Sequence, residues 1–209
     1  MISPKFSNPA YRIETKRLVV RCYNPSDAPL LAESVTENVE HLRPWMPWVY
    51  SEPEPIEEKF QRLKRFRGLF DLGQDFVYGI FNPVETKLLG GTGLHTRLGD
   101  RELEIGYWVH KDYVNQGLVT ESTAALIKVA FEIIRVHRIE IHIDPANTAS
   151  AAIPRKLGFT HEGTLRGKLR FLDTWRDTMI WGLMESEYPN SPSAKAEIKA
   201  FDADGKQVL

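Results

Sequence analysis

Residues 102–136 constrain the fold more than any other stretch, because they change from a period of two to a helical period across one short turn. Over residues 102–109 the odd-numbered positions are all apolar and alternate with a more polar set at the even-numbered positions. This alternation is typical of a half-buried strand. A polar turn with one glycine, Gly117, follows. Residues 118–136 then place their charges on one side and apolar side chains elsewhere, as an amphipathic helix does. The pattern predicts a strand, a tight turn and a buried helix.

The start of such a helix is a candidate anion site. Its first N–H groups have no partner within the helix, and the helix dipole adds partial positive charge there, so phosphate-like groups bind at such ends. A single glycine is weak evidence by itself, because most strand–turn–helix units bind no ligand. The local pattern therefore leaves a phosphate site and a purely structural turn as alternatives.

The rest of the chain predicts one α/β domain over residues 1–188, followed by a linker and tail over residues 189–209. The tail either pairs as an added strand or stays mobile. Strands are predicted at residues 13–23, 76–81, 87–95, 102–109 and 138–143, with two more between 159 and 185, and helices at residues 25–38, 56–70, 118–136 and 148–157. This order predicts a mixed, largely antiparallel sheet flanked by helices.

Composition argues against several classes of protein. A formal net charge of −1 gives no reason to expect nucleic-acid binding. Cys22 is the only cysteine, so no intrachain disulfide is available and a reducing compartment is expected, with Cys22 as a small hydrophobe on a strand. No apolar run approaches the ~18 residues of a membrane span. The six histidines lack metal-ligand spacing. We therefore expect a cytoplasmic protein with no membrane, nucleic-acid or metal partner.

One segment reads EIGYWV at residues 104–109 and, after His110, continues as KDYVNQGLVTES to residue 122. A second segment reads IDPANTASAAIPRKLGF, residues 143–159. Together they resemble the GNAT N-acyltransferases, and within them the RimJ/RimL type that acetylates ribosomal-protein N termini. The resemblance spans about residues 11–188. It implies the GNAT fold, in which the sheet is splayed to form a cleft for acetyl-CoA.

The same resemblance implies which residues hold acetyl-CoA. They are Trp108, Val109, Gln116, Gly117, Leu118, Val119, Thr120 and Asn147. The loop departs from the family's usual Arg/Gln-x-x-Gly-x-Gly/Ala pattern, since Val114 and Val119 occupy the first and last positions. Backbone N–H groups need no particular side chain to bind phosphate, so the departure leaves that role open. Asn147 is implied to contact the cofactor, but capping the following helix would equally explain an asparagine there.

The resemblance also implies catalytic roles. A backbone N–H freed by a bulge in residues 107–109 would stabilise the oxyanion. Glu104 would serve as the base, in some members through water, although a solvated strand glutamate is an equal alternative; His95 and His110 are weaker candidates. Ser150 would protonate the leaving thiolate or hold a water, because Pro154 stands where many members carry a tyrosine acid. A solvent-facing helix serine is the alternative.

Trp45 and Trp48, in the segment HLRPWMPW, either line the acceptor groove or pack a corner between helices. The function implied is transfer of acetyl from acetyl-CoA to a primary amine by direct attack in a ternary complex. A protein or peptide N-terminal α-amine is the first expectation. A small-molecule amine acceptor, and a non-catalytic acyl-CoA sensor, are the alternatives. A homodimer is one expectation for the oligomeric state.

Overall fold

One nine-stranded sheet organises the computed structural model, which describes residue 6 and residues 9–209. The strands are β1 Arg12–Glu14, β2 Val19–Cys22, β3 Phe76–Phe81, β4 Leu88–His95, β5 Glu102–Val109, β6 Arg138–Ile143, β7 Thr160–Phe171, β8 Thr174–Met184 and β9 Lys199–Phe201. Their order across the sheet is β7-β8-β6-β5-β4-β3-β2-β1-β9. All neighbours are antiparallel except β5 and β6, which are parallel. The predicted mixed, mostly antiparallel sheet is confirmed.

Helices cover both faces of this sheet. They are α1 Ala28–Thr36, α2 Val39–Leu42, α3 Ile56–Asp71, α4 Leu118–Val129 and α5 Thr148–Lys156. Leu31 of α1 and Leu63 of α3 pack with Val19 and Phe81 against one face. The apolar stripe of α4 and Ala151 of α5 belong to the larger core on the other face. A π-helical turn, Ala130–Ile134, extends α4, so the predicted helix ends close to its expected boundary.

β5 and β6 separate after three residue pairs, which opens a cleft in the sheet. They pair only from Glu102 with Arg138 to Glu104 with Glu140. Beyond that point β5 stays paired with β4 through Val109, and β6 stays paired with β8. The end of β5 therefore has one edge facing the gap instead of a neighbouring strand. This is the splayed cleft that the sequence predicts.

The first predicted strand is wrong in one respect, because residues 13–23 form parts of two strands. β1 and β2 are an antiparallel hairpin in which Ile13 pairs with Val20. The reversal is made by Thr15, whose hydroxyl accepts hydrogen bonds from the N–H groups of Arg17 and Leu18. A serine or threonine that bonds the backbone ahead of it favours a turn over a continuing strand.

The last residues of the chain fold onto the sheet. β9 pairs with β1, where Ala200 lies opposite Ile13, and it forms one edge of the sheet. Before it, the Lys128 ammonium of α4 donates to the carbonyl of Ala194. The segment after residue 188 thus forms the added strand that the sequence offered as one alternative. The domain boundary at residue 188 stays a prediction.

Candidate active site

The turn between β5 and α4 is held open by a left-handed glycine and an arginine from the β1–β2 turn. Gly117 has φ +76°, a backbone conformation that disfavours other residues. The Arg17 guanidinium donates to the carbonyl of Gln116 over 3.0 Å and to the carboxylate of Glu121 over 2.7 Å. Gln116 itself is tied back, because its side-chain amide donates to the carbonyl of Asp112. The turn is therefore fixed before any ligand arrives.

Three N–H groups at the start of α4 point out of the helix end. The N–H of Glu121 donates to the carbonyl of Gly117, which is the first i−4 bond of the helix. The N–H groups of Leu118, Val119 and Thr120 precede it and so have no i−4 partner within α4. Together with the helix dipole they provide neutral donors and partial positive charge for an anion.

A cavity of about 430 Å³ lies between this turn, the end of β5 and the start of α5; we call it the cofactor cavity. Its walls include seven of the eight residues predicted to hold acetyl-CoA, namely Trp108, Val109, Gly117, Leu118, Val119, Thr120 and Asn147. Gln116 is the exception, since its side chain bonds within the turn. Lys156 of α5 adds one cationic side chain to the wall. The cavity therefore combines helix-end N–H groups with a positive charge.

Asn147 performs the capping role and still reaches the cavity. Its side-chain oxygen accepts the N–H of Ser150 over 3.0 Å, the bond expected of a helix N-cap. Its side-chain NH₂ group is not used by that bond and is the part available to a ligand. The two interpretations of this asparagine are thus compatible.

The exposed edge of β5 presents backbone donors to the cleft. The N–H and C=O groups of a strand point alternately to its two sides. His110 donates its N–H to Leu89 on the β4 side, so Tyr107 and Val109, which have the opposite parity, direct theirs toward the gap left by β6. β5 keeps one continuous register with β4, so the predicted bulge is wrong. The divergence of β6 exposes these groups instead.

A second cavity, of about 590 Å³, lies on the sheet face covered by α1 and α3; we call it the acceptor cavity. Trp48, Phe66 and Val77 form part of an apolar wall. Its charged side chains are Arg62, Asp75 and Arg97, and the imidazole of His95 lies among them. Met46, Tyr107 and Trp108 line both cavities, so the two meet at the end of β5.

The two predicted tryptophans fall in different cavities. Trp48 lines the acceptor cavity, and its ring contacts Trp108 edge-to-face with centroids 6.2 Å apart. Trp45 lines the cofactor cavity. The segment that carries both therefore passes over the junction of the two cavities and contributes one wall to each.

Comparison with known proteins decides the family. Residues 17–160 match the profile of the acetyltransferase (GNAT) domain, which is more than half of the chain. The chain belongs to the GNAT acetyltransferase family. It is 30% identical over 183 residues to the ribosomal protein uS5 alanine N-acetyltransferase of Escherichia coli, an alignment that covers 86% of this chain and 94% of that relative. Its fold and its membership confirm it as an N-acetyltransferase of RimJ/RimL type.

Solved structures agree with this assignment. The ribosomal-protein-S5-alanine acetyltransferase of Vibrio fischeri has a TM-score of 0.73 at 25% identity, covering 85% of this chain and 98% of that one. RimJ of Mycobacterium smegmatis, solved with a CoA disulfide, has a TM-score of 0.78 at 22% identity, covering 92% and 95%. The second likeness is one of fold.

In this GNAT enzyme Ser150 is paired with a tyrosine. The Ser150 hydroxyl donates to the Tyr107 hydroxyl over 3.3 Å, and that hydroxyl in turn donates to the Ser150 carbonyl over 3.1 Å. Burial raises the pKa of Tyr107, so the phenol stays protonated at neutral pH. Ser150 is half-buried on the wall of the cofactor cavity and contacts the partly buried Tyr107, so it is not simply a solvent-facing helix serine.

Glu104 lies at the point where β5 and β6 separate, but its carboxylate is already engaged. Arg97 donates to both of its oxygens, and His142 of β6 lies 3.5 Å away. Burial acts to raise the pKa of Glu104, but the Arg97 hydrogen bonds and charge outweigh it and hold that pKa below its usual value. A carboxylate held in this way is a weak proton acceptor. Its role as the base stays a prediction.

The structure adds residues that the sequence analysis did not select. Tyr107 alternates into the apolar face of β5, and a buried phenol needs a hydrogen-bond partner, which is a signal that could have identified it. Met46 lies between the two predicted tryptophans and lines both cavities. Asp75 gave no signal, because its partner His95 is 20 residues away in the chain.

The described residues contain neither a candidate metal site nor a candidate membrane-spanning helix. Over residue 6 and residues 9–209, no group of three or more histidine, cysteine, aspartate or glutamate side chains is arranged to hold a metal ion. None of the helices described in this part of the chain combines the length and apolar character that crossing a membrane requires.

Proposed function

We propose that this GNAT enzyme transfers acetyl from acetyl-CoA to a primary amine, foremost the N-terminal α-amine of a protein, by direct attack in a ternary complex. The observation that carries the proposal is the junction of the two cavities at Met46, Tyr107 and Trp108. A donor in one cavity and an acceptor in the other can meet there. No covalent enzyme intermediate is then required.

The cofactor cavity fits the parts of acetyl-CoA. The N–H groups of Leu118, Val119 and Thr120 suit its diphosphate, and the Asn147 side-chain NH₂ suits an amide oxygen of its pantetheine arm. The exposed backbone edge at Tyr107 and Val109 suits the arm and the thioester carbonyl. Donors fixed by the fold in this way need little reorganisation during the reaction.

Direct attack is supported by the position of the lone cysteine. Cys22 is buried on β2 in the main core and lines neither cavity, and burial raises the pKa of its thiol. A thiolate nucleophile is therefore disfavoured. Ser150 has a tyrosine and not a histidine beside it, so it lacks an activating base and suits a donor's role toward the leaving thiolate.

The acceptor cavity favours a peptide terminus over a polyamine. Its charged walls hold Asp75, but also Arg62 and Arg97, so it is not the acidic pocket that a multiply charged amine needs. The related Escherichia coli enzyme is named for an N-terminal alanine of a ribosomal protein. A peptide with N-terminal alanine is therefore the first acceptor to test, and such an acceptor would place the reaction in the cytoplasm.

The test is release of CoA thiol from acetyl-CoA across a panel of alanine-starting peptides, other peptides and small amines. We expect turnover with peptides and a pattern of intersecting lines in two-substrate kinetics. Ser150→Ala and Tyr107→Phe should each lower kcat by only about tenfold, less than general acids typically contribute, because a thiolate leaves readily. Turnover of small amines alone would contradict the acceptor, and tight acetyl-CoA binding without any turnover would favour a sensor.

A further inference from the structure

The acceptor cavity contains a histidine–carboxylate pair that the roles above do not use. The Nδ1 atom of His95 lies 3.0 Å and 3.3 Å from the two carboxylate oxygens of Asp75. Asp75 follows α3, and His95 ends β4, so the pair joins two elements across the cavity wall. Both side chains are mostly shielded from solvent but not sealed from it, being 29% and 21% exposed.

This contact fixes which nitrogen of the ring carries the proton. A carboxylate has no proton to donate, so in the neutral imidazole Nδ1 must donate to Asp75 and Nε2 must keep its lone pair. A histidine oriented by a carboxylate on one nitrogen, with a free lone pair on the other, is the arrangement of general bases in many hydrolases.

Two glycines make room for the ring next to the reaction centre. A Cβ atom on Gly93 would lie 2.8 Å from both Cε1 and Nε2 of His95, and one on Gly106 would lie 3.3 Å from Nε2. The Nε2 edge therefore covers Gly106, the residue immediately before Tyr107, where the two cavities meet. Side chains at either position would push the imidazole away from that junction.

We propose that His95, oriented by Asp75, is the base that takes the proton from the acceptor amine, directly or through one bound water. This inference rests on the proposed function and deepens it. The charged and titratable groups of the cavity around the ring come from every wall. They are Asp75 beside it, Arg62 from α3, Tyr23 after β2, Tyr78 from β3, Tyr107 from β5, and Arg97 paired with Glu104 from the β4–β5 side. The Glu104 carboxylate is paired with Arg97, so His95 is the remaining side chain here with a free lone pair to accept a proton.

The step balances as follows. The ammonium form of the acceptor gives one proton to Nε2, and the neutral amine nitrogen forms a bond to the thioester carbon. The resulting oxyanion collapses, the C–S bond breaks, and its electron pair leaves on the CoA sulfur. The second proton of the attacking nitrogen reaches the thiolate by way of Ser150 or water, and His95 releases its proton to solvent.

The test compares His95→Gln with the unchanged enzyme, using acetyl-CoA and the best peptide acceptor of the panel from pH 6 to pH 9. We expect kcat/KM at pH 7 to fall by about tenfold to a hundredfold, at or below the low end of general-base catalysis, because part of the α-amine is already neutral at that pH. The deficit should shrink toward pH 9, because a free α-amine with a pKa of about 8 then loses its proton unaided. The acetyl-CoA Kd should not change.

Companion variants separate a catalytic role from a structural one. Gly106→Ala keeps the imidazole but displaces it, since the nearest atoms to the added methyl group belong to His95, and it should reproduce the pH-dependent deficit. For Asp75→Asn we expect the same deficit and a changed ring tautomer in ¹⁵N NMR, because Asp75 positions the ring. His137→Gln is the control, since His137 is 53% exposed and lines neither cavity. It should keep the unchanged pH profile.

The outcomes distinguish the two proposals. The role of His95 would be overturned if His95→Gln transfers acetyl normally with an unaltered pH profile of kcat/KM, while Glu104→Gln loses the dependence on the acidic side of that profile. The proposed function would remain intact. If the unchanged enzyme transfers acetyl to no amine in the panel, there is no proton for His95 to accept, and both proposals fall together. A uniform loss in His95→Gln at every pH would also count against it, because a lost base is partly replaced by hydroxide and free amine.

Discussion

The two cavities are built in different ways. The cofactor cavity depends on backbone groups, namely the N–H groups that follow Gly117 and the free edge of β5. The acceptor cavity depends on side chains brought together from α1, α3, β3, β4 and β5. Backbone donors tolerate many sequences, whereas a side-chain wall changes with each substitution. Single substitutions should therefore alter the acceptor cavity more readily than the cofactor cavity.

The largest expected effect is a loss of stability when the buried ion pair next to the Trp45–Trp48 segment is broken. Lys59 of α3 is 1% exposed, and its ammonium lies 2.6 Å from the carboxylate of Glu52, which is 0% exposed and closes the segment carrying Trp45 and Trp48. Lys59→Met leaves that carboxylate buried without its cation, with only the Glu54 N–H still donating to it, and breaking a buried ion pair in this way costs about 3–5 kcal/mol in comparable cases. Thermal unfolding followed by circular dichroism should show a marked loss of stability.

The matched control for this change is the double variant Lys59→Met with Glu52→Gln, which removes both charges. It should recover much of the lost stability, because an apolar or neutral pair is often as stable as a buried ion pair. Equal destabilisation of the single and double variants would mean that packing, and not the unpaired charge, governs this region.

The next largest effect is on acetyl-CoA binding at the turn that lines the cofactor cavity. Gly117→Val places a branched residue at φ +76°, a strain of about 1–2 kcal/mol. The variant turn relieves this strain by relaxing away from the geometry that presents the N–H groups, and restoring that geometry on binding costs up to about tenfold in affinity. We expect the acetyl-CoA Kd to rise by about that factor in calorimetry, while Gln116→Ala should change it little. Gly163→Ala is the control, since nothing lies within 4 Å of the added methyl group. An unchanged Kd for Gly117→Val would show that the turn does not hold the cofactor.

The same contrast explains what the sequence could and could not predict. The strand at residues 102–109 and the turn at Gly117 are local patterns, so both could be predicted from the sequence, while their role in holding acetyl-CoA came only from the family resemblance. The Asp75–His95 contact, the Arg97–Glu104 ion pair and the Tyr107–Ser150 contact join residues distant in the chain or on different elements. Only the folded sheet brings them together. The predicted bulge in β5 is wrong, since β5 keeps one register with β4 and the divergence of β6 exposes the backbone instead.

A pair of tryptophan variants sharpens the comparison at the junction. Trp48→Ala removes an acceptor wall and an edge-to-face contact worth about 0.5–1.5 kcal/mol, so the acceptor KM should rise by about fivefold. Trp45→Ala removes a wall of the other cavity and should raise the acetyl-CoA Kd by a similar factor. Both are read from two-substrate kinetics together with calorimetry. If both variants change the same parameter, the two cavities are not separate sites.

The smallest effect tests whether Glu104 is held by Arg97, and it depends on pH. Because the folded pKa of Glu104 lies below its unfolded value of about 4.3, the ion pair stabilises the fold fully above that value, and the contribution is lost as pH falls through the folded pKa. The Tm gap between the unchanged enzyme and Glu104→Gln should thus be widest near pH 7 and narrow steadily below about pH 4. Arg97 is 60% exposed, so solvent keeps the gap small. A Tm gap that is the same at pH 7 and below pH 4 would mean that the carboxylate is free of Arg97 in solution. Glu104 would then again be a candidate for the base, in competition with His95.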